Sequence, residues 1–345
     1  MERLPRYRTG DADLDNEIAA LVRAAGDVQH ADLIFEIIVS ALRLGRDDAG
    51  RLDLKIANAA LKEMRYAFQV FAPYRDARKV SIFGSARTRA EDPHYVQARD
   101  LAAAMADQDW MVLTGAGPGI MTAGIEGAGA DASFGINIRL PFEAVPSEYI
   151  ADDPKLINFR YFFTRKLTFM KESHGFVLLP GGYGTLDEAF ELLTLVQTGK
   201  ADPTPIVLLG APGETYWHSW LSFIDRELIP RGLISPEDRA LVHVTEDVAS
   251  AVDEVTSFYA NYDSLRFVRG LLVLRVRELP GADDLRAINE VFGDIVVRGA
   301  IEPLDPTEDE IADDDRLDLP RVGLRFDRTH WARLRLLIDA LNGRA

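Results

Sequence analysis

The sequence predicts an α/β protein whose central part is a Rossmann-like parallel sheet with helices on both faces. Between residues 78 and 260, short apolar segments rich in β-branched residues alternate with helical segments, which is the order that a parallel sheet requires. The predicted strands are almost wholly apolar, so we expect both faces of the sheet to be covered. Glycine-bearing turns follow three of these strands, at the sheet edge where ligands bind in such folds.

An N-terminal helical extension is predicted for residues 1–77. Apolar residues recur there at spacings of three and four, within the segments 33–42 and 54–64, and this is the period of an amphipathic helix. The turn-like segment 45–50 separates the two helices. No chemistry is visible in this region, and we interpret it as a cap or an oligomer contact.

The central domain, residues 78–260, is expected to alternate strands with helices along its whole length. The predicted strands cover residues 80–83, 110–113, 134–138, 176–179, 205–209 and 241–244. The predicted helices lie near residues 95–108, 118–130, 158–173, 185–199, 214–228 and 246–260. Asn158 and Arg160 would therefore open the helix that carries Arg165 and face the ligand cleft.

A small α+β appendage is predicted for residues 261–345. Its expected elements are a strand at 271–276, a helix near 281–292, strands near 294–298 and 321–326, and a final helix near 328–342. The acidic stretch 308–315 lies between them and is predicted to be a solvated loop.

Composition excludes several functional classes. A formal net charge of −16 argues against broad nucleic-acid binding, which needs many lysines and arginines, but not against binding one phosphate. The absence of cysteine excludes disulfides, a thiolate nucleophile and cysteine metal sites. No apolar stretch is long enough for a membrane span or a signal peptide, so a cytoplasmic protein is expected. The histidines show no metal-ligand spacing, and we predict neither a catalytic metal nor a cofactor.

The three glycine-bearing turns are the candidate binding site. They occupy residues 83–87, 114–121 and 179–188. Glycine lets main-chain N–H groups approach an anion, and a following helix adds the positive end of its dipole. One such turn often needs glycine merely to reverse direction, but three at one sheet edge favour a phosphate site. The predicted binding residues in the first two turns are Gly84, Ser85, Gly115, Gly117 and Gly119.

The third turn carries the residues with most chemical content. Thr185 is suited both to cap the following helix and to hydrogen-bond an anion. Asp187 and Glu188 are expected in the first helical turn, where acidic side chains stabilise the helix dipole. That structural role suits Asp187. A carboxylate beside an anion site is electrostatically awkward unless it has a task, so Glu188 is compatible with the same dipole role and with a functional one.

The segment Pro180–Glu188 reads PGGYGTLDE and resembles the PGGxGTxxE signature of the LONELY GUY (LOG) family. The segment 158–166, with its Arg-Lys pair, is also similar to the family's preceding helix. The resemblance covers about residues 78–260. It implies a Rossmann-like fold, assembly as a homodimer or larger homo-oligomer, and hydrolysis of an AMP-like or cytokinin riboside 5′-monophosphate to free base and ribose 5-phosphate.

The resemblance also implies roles for individual residues. Arg165 and Glu188 would be the catalytic pair, and the first two glycine turns would line the nucleotide cleft. The 5′-phosphate would be received by Gly181, Gly182, Gly184 and Thr185. Arg160 is a further candidate for ligand contact. Lys166 is equally compatible with a phosphate contact and with a solvated helix position.

One departure from the family pattern concerns the second turn. Many members carry GGGxxGLM, whereas this chain has Thr114 and Ala116 in place of the first and third glycines. Their side chains are expected to narrow the cleft and to change which ligand fits.

Cleavage of an N-glycosidic bond builds positive charge on the ribose, which a nearby carboxylate stabilises while it orients or deprotonates water. Glu188 is assigned that role, and Arg165 is expected to keep it ionised by lowering its pKa. The main alternative is a non-catalytic carrier or sensor of a nucleotide-like cofactor. An NAD-dependent oxidoreductase lacks support because no GxGxxG opens the first βα unit. A decarboxylase would need a pyridoxal-phosphate lysine, for which Lys166 alone is no case.

Overall fold

The computed structural model describes residues 5–139 and 147–344 of the chain. Within it the chain divides into two compact units, one up to Arg65 and one from Tyr66 onward. The predicted N-terminal extension begins, and the predicted appendage ends, with residues that lie outside the described part. No helix among the described residues combines the length and apolarity needed to cross a membrane.

The first unit is helical, as the 3.6-residue periodicity predicts. Its helices are α1 (Ala12–Ala24), α2 (Ala31–Arg46) and the beginning of α3 (Arg51–Phe71). Asp11 caps α1 by accepting the N–H groups of Asp13 and Leu14. Ile18 of α1 and Phe35 of α2 belong to one small buried cluster. The sequence analysis predicted a helical region here but did not delimit α1.

The second unit is built on a parallel sheet of seven strands in the order β4-β3-β2-β1-β5-β6-β7. The strands are β1 (Lys79–Phe83), β2 (Met111–Thr114), β3 (Ser133–Ile138), β4 (Leu156–Phe159), β5 (Gly175–Leu178), β6 (Ile206–Leu209) and β7 (His243–Thr245). The helices are α4 (Pro93–Ala106), α5 (Ile120–Ala128), α6 (Phe162–Glu172), α7 (Tyr183–Gln197), α8 (Tyr216–Phe223) and α9 (Val248–Ser257). The predicted fold class is confirmed.

Apolar residues cover both faces of this sheet because successive strand side chains point to opposite sides. In β5, Phe176 and Leu178 join a core that includes Phe169 of α6 and Leu192 of α7. Val177, between them, joins a second core with helices α4, α5 and α9 on the other face. The continuous apolar strands of the sequence therefore reflect two cores rather than one.

The site-forming feature of the sheet is the position of β1. It pairs in parallel with β2 on one side and with β5 on the other. The chain moves outward from β1 to β4, then returns to the other side of β1 as β5. The strand order therefore reverses between β1 and β5, and the carboxyl ends of these strands flank the crevice where ligands bind in doubly wound folds.

One predicted helix begins later than expected. The segment 158–173 was predicted as helix throughout, but residues Leu156–Phe159 form β4 and α6 starts at Phe162. Asn158 pairs in register with Asn137 of β3. The prediction that Asn158 and Arg160 open the helix is therefore wrong, since a sheet edge takes the first part of the segment.

The C-terminal region forms an antiparallel sheet in the order β10-β11-β9-β8. The strands are β8 (Tyr262–Val268), β9 (Leu271–Val276), β10 (Glu302–Leu304) and β11 (Arg321–Leu324), and the helices are α10 (Ala282–Phe292), α11 (Glu308–Asp313) and α12 (Trp331–Leu341). The sequence analysis missed β8 and β10, and its strand near 294–298 is a short 3-10 turn followed by a single bridge at Val296.

The acidic stretch 308–315 is not the solvated loop that its charge predicts. Thr307 and Glu310 form a capping box that starts α11, which is a local signal for a helix N-terminus. Glu310 is fully buried and forms an ion pair with Arg275 of β9. The ion pair with a cation distant in sequence therefore compensates for the burial of this glutamate.

Candidate active site at the strand-order reversal

A cleft of about 790 Å³ lies at the carboxyl ends of the central strands. All three glycine-bearing turns contribute to it. Of the residues predicted for binding or catalysis, the cleft is lined by Gly84, Ser85, Gly115, Gly117, Arg165, Gly181, Gly182, Gly184, Thr185 and Glu188. The positions that the sequence grouped by pattern are thus neighbours in space, because the topology brings the three turns to one edge.

Hydrogen bonds join the three turns to one another. The N–H of Ser85, in the first turn, donates to the carbonyl of Pro180 in the third, at 3.3 Å. The carbonyl of Ser85 accepts from the N–H of Ile120, at the start of α5, at 3.1 Å. The first turn therefore fixes the spacing of the other two.

Gly119 is required for this close approach, although it does not line the cleft. Its φ is +68°, and a Cβ at this position would lie 2.3 Å from the carbonyl oxygen of Ser85. Any other side chain would push the first and second turns apart. Gly119 therefore has a structural role, and its predicted role as a binding residue stays a prediction.

The start of α7 has the features of an anion site. Its N-cap residue is Gly182, and in the described part of the chain this helix start has no side-chain cap hydrogen bond. Residues 181–188 all line the cleft, so the unpaired N–H groups of the helix start belong to its wall. Thr185 does not cap the helix as predicted, because α7 begins at Tyr183, before Thr185.

Arg165 reaches the cleft from α6. Its Nε donates to the carbonyl of Ile136 at 2.8 Å, and its guanidinium lies over the ring of Phe169 at 5.3 Å. A Cβ at residue 115 would lie 2.3 Å from its Nη2, so glycine at this position gives the guanidinium its space. Glycine at position 115 therefore leaves room for the guanidinium of Arg165, in addition to allowing the backbone of the second turn to approach a ligand.

Glu188 is a buried carboxyl group, 7% exposed, in the second turn of α7. Its Oε2 has no hydrogen-bond partner among the residues that the structure describes. Burial raises the pKa of Glu188 to about 7, although the charges of Lys166 and Arg165 oppose the shift. Arg165 therefore acts in the predicted direction, but desolvation outweighs it. The raised pKa opposes the expectation that Arg165 keeps Glu188 ionised.

Lys166 is not at the solvated helix position that was one of its two predicted roles, and its phosphate contact stays a prediction. Its Nζ lies 2.7 Å from Asp187 and 2.6 Å from Glu191, both on α7. It is not among the described residues that line the cleft, and its side chain is only 11% exposed. Asp187 consequently has a cation as partner, rather than the helix dipole alone.

Two further polar residues lie away from the cleft. Arg160, a predicted ligand contact, is exposed in the segment between β4 and α6, outside the cleft lining of the described chain. His174 accepts a hydrogen bond from the N–H of Lys79 at its Nδ1, and burial lowers its pKa to about 3. This buried environment suits packing rather than catalysis.

The two departures from the family pattern are buried beneath the second turn. Thr114 and Ala116 have no exposed surface and are absent from the described cleft lining, so the prediction that they narrow it is wrong. Ala116 adopts a positive φ of 56°. A Cβ at Gly135 would lie 2.9 Å from the Cβ of Ala116, so glycine in β3 provides the room for this methyl group.

The sequence analysis missed several residues of the cleft wall, among them Met121, Asn137, Phe162, Tyr183 and Tyr216. Asn137 had a signal, since it is a polar residue near the carboxyl end of an otherwise apolar strand. The hydroxyl of Tyr216 donates to the carbonyl of Gly181 at 2.6 Å and so braces the third turn. The aromatic residues had no pattern that separates a cleft wall from a core.

Known proteins similar to this chain were found by sequence and by structure, and the matching family model spans the end of the second turn and the whole of the third. A sequence model of the family described as "Possible lysine decarboxylase" matches residues 119–255. Two cytokinin riboside 5′-monophosphate phosphoribohydrolases of Arabidopsis thaliana are 36% identical over 101 residues and 45% identical over 78 residues. These segments cover 29% and 23% of this chain, and 46% and 34% of the relatives. The resemblance to the LOG family is confirmed at this modest identity.

Among solved structures, the molybdenum cofactor carrier protein of Chlamydomonas reinhardtii is similar to this chain. The likeness has a TM-score of 0.36 at 25% identity and covers 51% of this chain and 94% of the carrier. The segments matched in the curated relatives are less than half of those proteins.

Proposed function

We propose that this chain hydrolyses the N-glycosidic bond of a nucleoside 5′-monophosphate to free base and ribose 5-phosphate. The observation that carries the proposal is the buried carboxyl group of Glu188, with a pKa of about 7, on the helix whose uncapped start lines the cleft. A helix start suits a phosphate, and a carboxyl group that titrates near neutrality suits proton transfer. The names of the curated relatives support this reaction.

The phosphate is assigned to the third turn. Added Cβ atoms at Gly182 and Gly184 would meet nothing within 4 Å, so the wall there is open to a ligand. Arg165 supplies a positive charge from the opposite helix, α6. Holding the phosphate positions the ribose, because remote binding energy fixes the geometry of the reacting bond.

In the chemical step, water attacks the anomeric carbon of the ribose as the bond to the base breaks. The carboxylate of Glu188 stabilises the positive charge on the sugar and accepts a proton from the water. The base leaves with the electron pair of the broken bond and takes up one proton, and Glu188 gives up the proton accepted from water, so that the protons balance. The products are the base and ribose 5-phosphate, so water is the only second reactant.

An AMP-like nucleotide or a cytokinin riboside 5′-monophosphate is the proposed substrate. The cleft volume of about 790 Å³ lies in the range of small-molecule sites. The cleft wall also contains aromatic side chains, including Tyr183, which is 96% exposed. A flat base suits such a wall.

The test is a chromatographic assay of purified protein with AMP, GMP, CMP, UMP, IMP and isopentenyladenosine monophosphate. We expect release of base and ribose 5-phosphate, abolished in Glu188→Ala while nucleotide binding stays measurable by calorimetry. Near-normal turnover in Glu188→Ala would refute the catalytic assignment. Binding without release from any nucleotide would favour the carrier or sensor instead.

Three other expectations remain proposals. A homodimer or larger homo-oligomer is checked by light scattering, where a monomer alone would contradict it. Cytoplasmic location is checked by fractionation of the source cells. Limited proteolysis tests the proposed domains 1–77, 78–260 and 261–345, because cleavage concentrates at flexible boundaries.

A further inference from the structure

Lys166 forms two ion pairs that bracket the proposed catalytic carboxyl group. Its Nζ contacts Asp187 at 2.7 Å and Glu191 at 2.6 Å. These two residues precede and follow Glu188 on α7, by one and three positions. Lys166 thus joins α6 to the segment of α7 that carries Glu188.

The two ion pairs of Lys166 differ in exposure. Asp187 is 62% exposed, and a pair with such a partner contributes little to stability because water and salt screen it. Glu191 is 35% exposed, and its Oε2, which contacts Lys166, is buried. Burial opposes the charge of Lys166, yet its pKa is raised by the hydrogen bonds to Asp187 and Glu191 and by the charge of Glu188. The charges of Lys166 and Glu188 therefore act on one another, in addition to the direct contacts of Lys166 with Asp187 and Glu191.

The groups that shift the pKa of Glu188 also connect Lys166 to this carboxyl group. Desolvation is the largest influence and favours the neutral carboxylic acid. Among the charges that oppose it, Lys166 ranks before Arg165, while Glu191 and Asp187 favour the neutral form. Without Lys166, the carboxylates of Asp187 and Glu191 would favour the neutral form of Glu188, and Arg165 would be the remaining positive charge named here that opposes them.

The Arg-Lys pair therefore divides two tasks between adjacent residues. Consecutive side chains on a helix point about 100° apart, because the helix has 3.6 residues per turn. Arg165 points to Gly115 and the cleft, whereas Lys166 points to α7.

We propose that Lys166 is a positioning residue, which holds α7 against α6 and supplies the positive charge that the carboxylate of Glu188 needs in order to act as a base. This inference rests on the proposed function, because it assigns Lys166 to the same site. It also predicts that Lys166 makes no direct contact with the phosphate.

The test compares Lys166→Met, Lys166→Arg and the triple variant Lys166→Met/Asp187→Asn/Glu191→Gln across pH 5.5–9 in steady-state assays. We expect the acid limb of the kcat profile to move up by about one pH unit in Lys166→Met, since a nearby opposite charge lowers a carboxylate pKa by at least that much. This corresponds to a loss of about tenfold in kcat below the pKa and little loss at pH 9. Lys166→Arg should restore the parent profile, and the triple variant should have an acid limb below that of Lys166→Met.

A uniform loss of kcat at all pH values, or an unmoved acid limb, would overturn the inference. A rise in KM at every pH with an unchanged profile would instead indicate a phosphate contact. The carboxyl pKa of Glu188 is measured separately by NMR titration of ¹³C-labelled glutamate, with the resonance assigned by its absence in Glu188→Gln. If the parent hydrolyses no nucleotide, the proposed function fails, while an unchanged Glu188 titration in Lys166→Met would refute the role of Lys166 by itself.

Discussion

Two buried glutamates, in the cleft and in the C-terminal sheet, have opposite environments. Glu310 has no exposed surface and accepts hydrogen bonds from Arg275 at 2.8 Å and from the N–H of Thr307 at 3.0 Å. Burial works against its charge, yet the bonds from Thr307 and Arg275 keep its pKa below the usual value. Glu188 is nearly as buried, but one of its oxygens has no partner among the described residues.

The comparison shows that burial alone does not decide what a carboxyl group does. A buried charge with complete partners is fixed in one state and contributes to the uniqueness of the fold. A buried carboxyl group with incomplete partners titrates near neutrality and is available to a ligand. The partners, rather than the depth, therefore separate the structural glutamate from the candidate catalytic one.

The largest effect on stability is expected from Glu310→Ala, which removes two hydrogen bonds of the buried Arg275 and leaves it the pair with Asp315. Breaking a buried pair in this way costs about 3–5 kcal/mol of unfolding free energy. Urea denaturation at pH 7 measures it. Glu308→Ala is the matched control, because the Glu308 side chain lies on the same helix but is 89% exposed. A loss below about 1 kcal/mol in Glu310→Ala would show that the comparison overstates the role of its partners.

Glu188→Gln is expected to change the free energy of unfolding by a smaller amount and to stabilise the fold rather than destabilise it. The pKa of Glu188 rises from 4.5 to about 7 on folding, so the folded state binds more protons in this interval and stability falls as pH rises through it. Removing the carboxyl group should therefore stabilise the protein above pH 7 by up to about 3 kcal/mol. Below pH 4.5 the gain should vanish.

Denaturation of parent and Glu188→Gln at pH 5 and pH 8 makes this measurement. Glu310→Gln provides the contrast. Because folding lowers the pKa of Glu310, its carboxylate stabilises the fold at pH values above the usual pKa of a glutamate. That contribution is lost as the pH falls through the lowered pKa. A Glu188→Gln gain that is equal at both pH values would mean that Glu188 does not titrate in this interval.

The sequence predicted those features of the fold and the site that depend on neighbouring residues. It missed those that depend on residues far apart in the chain. The glycines of the third turn and the apolar strands are local signals, and both predicted their structures. The burial of Glu310 depends on Arg275, which is 35 positions away in sequence, so the acidic stretch looked like a loop. The charges around Glu188 were visible, but its desolvation is set by packing across the sheet and had no local signal.

The smallest effects on stability are expected from two glycine substitutions. They sharpen the comparison of the two regions because one should affect turnover and the other stability. In Gly115→Ala the new Cβ would displace the Nη2 of Arg165, which lies 2.3 Å away. A misplaced catalytic group costs up to about 100-fold in turnover, with little change in stability because the displaced atoms end flexible side chains.

Gly323→Ala is the counterpart in the C-terminal sheet. Its Cβ would lie 2.0 Å from Cδ1 of Leu304, and overpacking of this kind costs about 1–3 kcal/mol in stability. Turnover should be unchanged. Thermal unfolding and steady-state assays on both variants separate the effects, and equal loss of turnover in the two would contradict the division between a reactive and a structural region.

The position of β1 between β2 and β5 has a consequence for how the protein is made. During synthesis β1 is able to pair with β2 once Thr114 has left the ribosome, whereas its other edge stays unpaired until residues 175–178 appear. An unpaired strand edge is open to wrong partners in a nascent chain. The same event that covers this edge delivers the third turn, so a fragment that ends before Gly175 would combine the exposed edge with the lack of a phosphate site.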